Sequence, residues 1–535
     1  MVPYCSGVAE MSALSKAIAD AIGEDARFRP GQYPESVPLC IVPRARFVET
    51  ARVLKKAYAL LAAEWATDET GFGIARGFGI YACYRYGSEY IVVKTEVPAD
   101  DPVFPSLTKK FVAAYRFERQ IESLMGLTAD KHPDNRPWIK FEDWPANAWP
   151  LRKLFDASGK MPRVKGDYKW VQAVGEGVYE IPVGPVHAGI IEPGHFRFQA
   201  VGEAIINLEE RLGYVHKGIE KRFESLSWTD GSRLAGRVSG DTTVAHSLTY
   251  CMALESMTQC TIPARAQWLR ALFLERERIA NHLGDIGAIC NDVAFAFMLY
   301  QTMRLKEMLL RTNQRLFGHR LVMDRVIPGG VAADIDHQGI REILDEMNSI
   351  SWEFEKLVTI FDENSSLEDR TRNTGILTPE KARDLGVVGI VARASGLNLD
   401  CRIQNPFPPY DVLDVQVPVL IAGDVHARVW VRIEEVRESI RLVREILLSL
   451  PGGEIETPVK PPLPDIAGFG AVEGWRGEII YWLQTGPGGE VNRCMVRDPS
   501  SLCWLGLEQA IPDNIVPDFP LCNKSFNQSY SGHDL

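Results

Sequence analysis

At 535 residues the chain is too long for one ordinary domain, and its 46% apolar and 24% charged content is that of a globular protein able to bury large cores. The net charge of −11 excludes the basic face that a nucleic-acid surface needs, so no nucleic-acid partner is expected. No apolar run reaches the roughly 18 residues of a membrane span, and the start, Met1 to Cys5, has neither a basic n-region nor an apolar h-region. The expectation is a cytoplasmic chain that reaches a membrane only through other subunits.

Residues 1–165 read as a first unit with α+β patterning. The apolar positions Val53, Leu54, Tyr58, Leu60 and Leu61 predict a helix over Ala51–Ala66. A glycine-rich stretch over 71–79 follows. No helix opening with Lys-Ser/Thr comes after it, so it reads as loop or hairpin glycine, not a phosphate loop. Alternation predicts strands over Ile80–Tyr86 and Glu89–Val97. The prolines and tryptophans of 130–165 predict an extended connector.

The second unit, 166–535, opens with predicted strands at Val178–Val183 and His195–Val201. Helices are predicted over Ala264–Cys290, 291–318 and Gln338–Asp362. Alternation at Val415, Val417, Val419 and Ile421 predicts a strand-rich insert over Val412–Ile433, then a helix over Glu434–Leu450 stopped by Pro451-Gly-Gly. The tail from Gly477 reads as strands and loops.

The ten cysteines, at 5, 40, 83, 251, 260, 290, 401, 494, 503 and 522, are never closer than nine positions apart. Zinc, iron–sulfur and dithiol sites normally use closely spaced cysteines. These read as small buried hydrophobes.

Six stretches of the second unit stand out: GPVHAGIIEPGHFRF (184–198), YVHKGIEK (214–221), GRVSGDTTVAHS (236–247), RAQWLRALFLERERIANHL (265–283), VARASG (391–396) and DFPLCNKSFNQSYSGHDL (518–535). In this order they resemble the large subunit of group 4, energy-converting nickel–iron hydrogenases, above all the formate hydrogenlyase form. The same fold serves as the 49-kDa, D-type subunit of respiratory complex I. The first unit, through RFERQIESLMGL (116–127), HPDNR (132–136) and WPLR (149–152), resembles the 30-kDa, C-type subunit of complex I.

The resemblance covers the chain almost end to end. It implies an α+β fold class: an N-terminal 30-kDa-like α/β domain, then a larger, mainly helical hydrogenase-like domain with peripheral strands. The implied partners are an iron–sulfur small subunit, antiporter-like membrane subunits and other complex I-like soluble subunits. The implied localisation is peripheral, on the inner face of the cell membrane. No cofactor is expected on this chain itself; a quinone is the implied small acceptor, and the iron–sulfur cluster belongs to a partner.

The departures carry the functional argument. In the hydrogenases a CGIC motif and a terminal CxxC supply four thiolates to nickel and iron. Here those four positions hold Ser239, Thr242, Ser529 and Gly532. Neutral hydroxyls are poor, hard ligands for such a centre, and glycine offers no side chain, so no metal is expected. Complex I also lost these cysteines and uses the cavity for a quinone headgroup.

Within the resemblance, His195 falls roughly where complex I has a headgroup-contacting histidine, and Val238 stands where it has a tyrosine. Tyr530 is the candidate replacement for that tyrosine. Asp241 places a carboxylate in the cavity motif, where it can shuttle protons or pair with Arg393, whose family counterpart overhangs the metal. Glu220 matches a proton-transferring family glutamate, with a surface ion pair to Lys217 or Lys221 as the plainer role. His246 is a further candidate, although His246 and His282 on helical stretches are more commonly satisfied core histidines. The run Glu275-Arg-Glu-Arg reads as a solvated or subunit-facing helix side, with Arg265 and Arg270 within reach of a partner's cluster region. Two functions follow: an oxidoreductase subunit passing electrons to a small acceptor, or a non-catalytic scaffold. An active hydrogenase with other ligands would instead contain nickel.

Overall fold

A computed structural model describes residues 11–29, 37–71, 77–141, 144–166 and 168–535. Cys5 and most of the glycine stretch over 71–79 lie outside the described residues. The chain divides into two compact units, 1–135 and 136–535. The stretch 136–165, read from sequence as the end of the first unit, belongs to the second. Lys153 donates to the Asn492 carbonyl, and Lys221 Nζ donates to the Arg152 carbonyl at 3.0 Å.

In the first unit α1 (Ala13–Ile22) precedes β1 (Arg27–Arg29), β2 (Leu39–Ile41), α2 (Phe47–Lys56), β3 (Leu60–Asp68), β4 (Phe78–Tyr86) and β5 (Glu89–Val97). The sheet order is β1-β2-β5-β4-β3, antiparallel except for the parallel β2–β5 pair. After it come β6 (Val103–Pro105), α3 (Ala114–Met125) and β7 (Thr128–Asp130). Helix α2 buries Phe47, Thr50, Ala51 and Leu54 on one stripe.

The helix read over Ala51–Ala66 stops ten residues early, at Lys56. Ala59 N–H bonds to the Leu54 carbonyl while Tyr58 takes φ 61°, a left-handed helix end with tyrosine in the usual glycine place. Strand β3 then runs buried on both faces from Leu61 to Asp68, so it shows no alternation to betray it.

The second unit opens with an antiparallel meander of β8 (Val178–Val183), β9 (His195–Val201) and β10 (Ala204–Arg211). There follow α4 (Ile219–Phe223), α5 (Trp228–Ala235), α6 (Thr243–Thr258), α7 (Ala264–Asp292), α8 (Ala296–Phe317), the hairpin β11 (Val326–Ile327) and β12 (Gly330–Val331), and α9 (His337–Asp362). Short helices α10 (Ser365–Thr371), α11 (Pro379–Leu385), α12 (Gly389–Ala394) and α13 (Cys401–Gln404) lead to α14 (Val425–Leu448). The antiparallel sheet β13 (Ala467–Glu473), β14 (Glu478–Thr485) and β15 (Val491–Arg497) is followed by α15 (Ser500–Ala510), α16 (Phe519–Phe526) and α17 (Tyr530–Asp534). Helix α7 is the axis of this unit, packed along α8 and α14.

Three sequence expectations are corrected here. The insert over Val412–Ile433 contains no strand. Its extended part is tied to the end of α12, with Leu420 N–H on the Arg393 carbonyl and Gly423 N–H on the Ala394 carbonyl. Pro418 interrupts the alternating run. Helix α14 already starts at Val425, capped by Asp424, and it buries charged and apolar residues alike, which erased its helical stripe. The tail is not only strands and loops, because α15 to α17 close the unit.

Third, Glu275, Arg276 and Arg278 are fully buried, not solvated or subunit-facing. Glu275 accepts from Arg278, Arg402, Ser439 and Tyr410, and Arg276 pairs with Glu346 at 2.8 Å. Arg270 is likewise committed, to Glu255 at 2.6 Å, and Arg265 to Asp334 at 2.7 Å. Buried charges persist only when paired.

Nine cysteines fall among the described residues, and all but Cys260 are buried. Burial pushes the Cys40, Cys290, Cys503 and Cys522 thiols up to about 12. No helix among the described residues is long and apolar enough to cross a membrane.

Arg402 donates to both Asp400 and Glu275. Arg402→Leu leaves these two buried carboxylates short of a cation and is expected to cost about 3–5 kcal/mol in denaturant unfolding.

Candidate functional site

Two loops converge in the second unit: the turn Ser239–Thr242 before α6, and residues 528–532 leading into α17. Ser239 and Ser529 hydroxyls are 2.8 Å apart. Ser239 also donates to Asp241 Oδ1 at 2.8 Å, as does Thr242 at 2.9 Å. Arg476, in the turn between β13 and β14, grips both Asp241 carboxylate oxygens at 2.7 Å each. The turn itself is held by its backbone: Asn281 Nδ2 and Trp475 Nε1 both donate to the Asp241 carbonyl, at 2.7 and 3.1 Å.

Asp241 lies on the floor of a crevice. It is enclosed by protein, yet 42% of its side-chain surface stays open. Enclosure pushes its carboxyl up, but the Arg476 charge and the bonds from Arg476, Ser239 and Thr242 outweigh that and hold it well below the usual carboxylate range. Asp241 therefore pairs with Arg476 and not with Arg393.

Behind the second loop sits Asp498, fully buried. It accepts from His246 Nε2 at 3.0 Å and from the Ser500 N–H at 2.8 Å, while His246 Nδ1 meets the Tyr481 hydroxyl at 3.0 Å. Burial pushes the Asp498 carboxyl up; the His246 bond and the nearby Arg476 bring it below its ordinary value. Gly532 packs against it: a Cβ there would lie 2.6 Å from the Asp498 carboxylate.

The structure thus gathers Ser239, Asp241, Thr242, Ser529 and, through Asp498, Gly532 and His246. It keeps others apart. Arg393 is buried among Glu435 at 2.6 Å, Glu473 at 2.8 Å and Asp400 at 3.4 Å. Glu220 is buried, paired with Arg493 at 3.0 Å and bonded by the Val496 N–H, in place of the surface pair with Lys217 or Lys221. His282 bonds Glu435 at 2.7 Å. Val238 is fully buried, and its carbonyl receives Lys217 Nζ at 2.8 Å.

The His195 ring lies tilted by 37° against Trp170, centroids 4.7 Å apart, with Arg197 and Arg211 close by. Burial first, then those two guanidinium groups, lower its pKa from the ordinary histidine value. The histidine brought to Tyr530 is His187, with Nε2 3.3 Å from the phenol oxygen. Tyr530 is buried against Trp504, and Gly194 makes room for its ring.

Sequence reasoning passed over His187, Glu192, Arg476 and Asp498. His187 and Glu192 stand inside the first motif, and Glu192 accepts the Ser531 N–H at 2.9 Å. Arg476 was marked by its glycine neighbour: Gly477 takes φ 142° and lies 2.9 Å from Gly389 as measured from its Cβ position.

The residues present do not fit a nickel–iron centre. Two of the four family ligand positions are hydroxyls bonded to each other, the third bonds Asp241, and the fourth can take no side chain without displacing Asp498. None offers a soft thiolate.

Two family models match the chain: the respiratory-chain NADH dehydrogenase 30-kDa subunit over residues 40–161 and the 49-kDa subunit over 292–464. The chain is 33% identical to formate hydrogenlyase subunit 5 of Escherichia coli (strain K12), over 83% of this chain and 79% of that one. It is 32% identical to the carbon monoxide-induced hydrogenase of Rhodospirillum rubrum, over 66% of this chain and 98% of that one. It is 29% identical to the C/D subunit of the NADH-quinone oxidoreductase of Phocaeicola vulgatus, over 74% and 80%. The chain belongs to this hydrogenase and complex I family of 30-kDa/49-kDa-type subunits.

A chain of the membrane-bound sulfane sulfur reductase, an archaeal respiratory membrane complex, superposes with TM-score 0.64 at 25% identity, covering 68% of this chain and all of that one. Both converging loops lie outside the two stretches matched by the family models.

Gly532→Ala forces a methyl group against the Asp498 carboxylate that His246 holds. It is expected to cost about 1–3 kcal/mol, read as a lowered midpoint in thermal or denaturant unfolding.

Proposed function

We propose that this chain is the large subunit of a membrane-associated, complex I-like oxidoreductase complex. It takes electrons from an iron–sulfur partner and delivers them to a quinone or another small acceptor, with no nickel–iron centre. The NADH-quinone oxidoreductase C/D subunits among its relatives, and the respiratory membrane complex among solved structures, support the assembly. Antiporter-like membrane subunits and further soluble complex I-like subunits complete it, and the chain sits peripherally on the inner membrane face.

One observation carries the reading. The loops that hold thiolates in the hydrogenases here hold a hydroxyl pair and an Asp241–Arg476 salt bridge within an otherwise kept frame. The His187–Tyr530 pair offers a headgroup carbonyl two polar partners, and the Asp241 carboxylate, held ionised by Arg476, offers a proton acceptor. The chemistry required is modest: orient the acceptor, exclude water around it, and supply protons as electrons arrive.

A scaffold role is the second reading, favoured by how completely Asp241 is satisfied by Arg476, Ser239 and Thr242. A non-catalytic coupler would keep such a cluster only for packing.

The test is to purify the complex with its neighbouring subunits, measure its metals and assay reduction of a soluble quinone. Iron without stoichiometric nickel is expected, with turnover falling about 10²-fold or more in Tyr530→Phe combined with His187→Gln. Stoichiometric nickel would overturn the reading. Normal assembly with no turnover, unmoved by these substitutions, would select the scaffold.

A further inference from the structure

A cavity of about 20 Å³ lies beside the Asp241 crevice, between α7 and α8. That is room for one water, given polar partners. Its lining includes Asp241, Glu277, Asn281, Lys306 and Asn313. Glu277 on α7 is buried, and its two oxygens accept the N–H groups of Val244 and Ala245 at 2.7 and 3.2 Å, at the start of α6. Lys306 on α8 is half-buried and has no hydrogen-bond or salt-bridge partner among the described residues. A buried acid and an unpaired cation thus meet across a water-sized space, one step from the open carboxylate of Asp241.

We infer that this cavity is a proton-transfer site, in which Glu277 holds a proton that it passes to the Asp241 crevice and regains through cavity water and Lys306. The transfer half rests on the redox reading above. Reducing one quinone consumes two electrons, from the partner's iron–sulfur clusters, and two protons. Glu277 gives up a carboxylic proton, becomes a carboxylate, and is reprotonated from the side of Lys306, so that solvent is the net proton source.

Lys306 of α8 lines the same cavity as Glu277. Asp241 from the turn before α6 disfavours its anion; Arg278 of its own helix favours it. Arg276 is committed to Glu346 of α9, and Arg476 to Asp241. Burial dominates: it, joined by Asp241, outweighs the two N–H bonds and Arg278 and raises the Glu277 carboxyl to about 8. Burial also lowers the Lys306 ammonium, against the opposing pull of Asp285 and Asp241. Burial thus disfavours the charged form of both groups.

The folded chain binds this proton more tightly than the unfolded chain, whose glutamate titrates near 4.5. Stability from this group is full below that pH and is lost as pH rises to about 8. In Glu277→Gln the cap is kept in part and the titration removed, so the fall across this window should flatten.

The experiment is an infrared titration of the full chain, wild type minus Glu277→Gln, followed by turnover of the purified complex. A protonated-carboxyl band present at pH 7 in wild type, absent in E277Q and titrating away near pH 8, is expected. In Lys306→Met the same band should persist to higher pH, because a cation has been removed. No such band, or a band unaltered in E277Q, overturns the site. In the complex, E277Q should lower kcat about 10²-fold with KM unchanged, and Glu277→Asp should restore part of it. Unchanged turnover in E277Q overturns the transfer role. A wild-type complex without any acceptor turnover defeats the redox reading instead, and the infrared titration still judges the proton site.

Discussion

Arg476 holds both oxygens of Asp241 at 2.7 Å, and the geometry of the converging loops depends on that grip. The carboxylate so fixed orients the hydroxyls of Ser239 and Thr242. Ser239 in turn meets Ser529, which caps α17 through the Gly532 N–H. Through these bonds, segments far apart in sequence are joined. A bidentate guanidinium–carboxylate contact suits this role, because it fixes direction as well as distance.

The pair does not stand alone. Arg476 also donates from Nε to the Asn527 carbonyl at 2.6 Å, and Asn527 reaches Asp285, which pairs with Arg432 of α14. Further along, Arg393, Glu435, Glu473, Asp400, Arg402 and Glu275 form a second buried set of charges around α7 and α14. Such networks are costly to desolvate and gain little net stability over apolar packing, but removing one member strands the rest. The loops are thus anchored on a buried charge network, at whose edge the Asp241 side chain stays 42% exposed.

Much of the frame was legible in the sequence. Strands at Glu89–Val97, Val178–Val183 and His195–Val201 match to the residue, because each alternates or is bounded by glycine or proline. The long helices beginning at Ala264 and His337 were visible from apolar spacing. What misled was burial on all sides. Strand β3, the first turns of helix α14 and the Glu275–Arg278 run have almost no exposed polar face, so periodicity carried little signal there, and charge in the last case pointed the wrong way. The site divided along similar lines. The four altered ligand positions, Asp241 and Tyr530 could be named from motifs, whereas Arg476, Asp498, His187 and Glu277 could be recognised only as neighbours.

The sequence by itself determined that the thiolates are absent and which residue types replace them, since ligand chemistry is a property of side chains. It also determined the order of elements wherever one face of each is polar. Tertiary structure alone decided the pairings: Asp241 with Arg476 instead of Arg393, Glu220 with Arg493 instead of a neighbouring lysine, and Tyr530 with His187, a histidine the sequence did not single out. The reason is physical. A buried charge or hydrogen-bonding group must find a partner, but which one lies within 3 Å depends on how distant loops are folded together, and no local pattern encodes that distance.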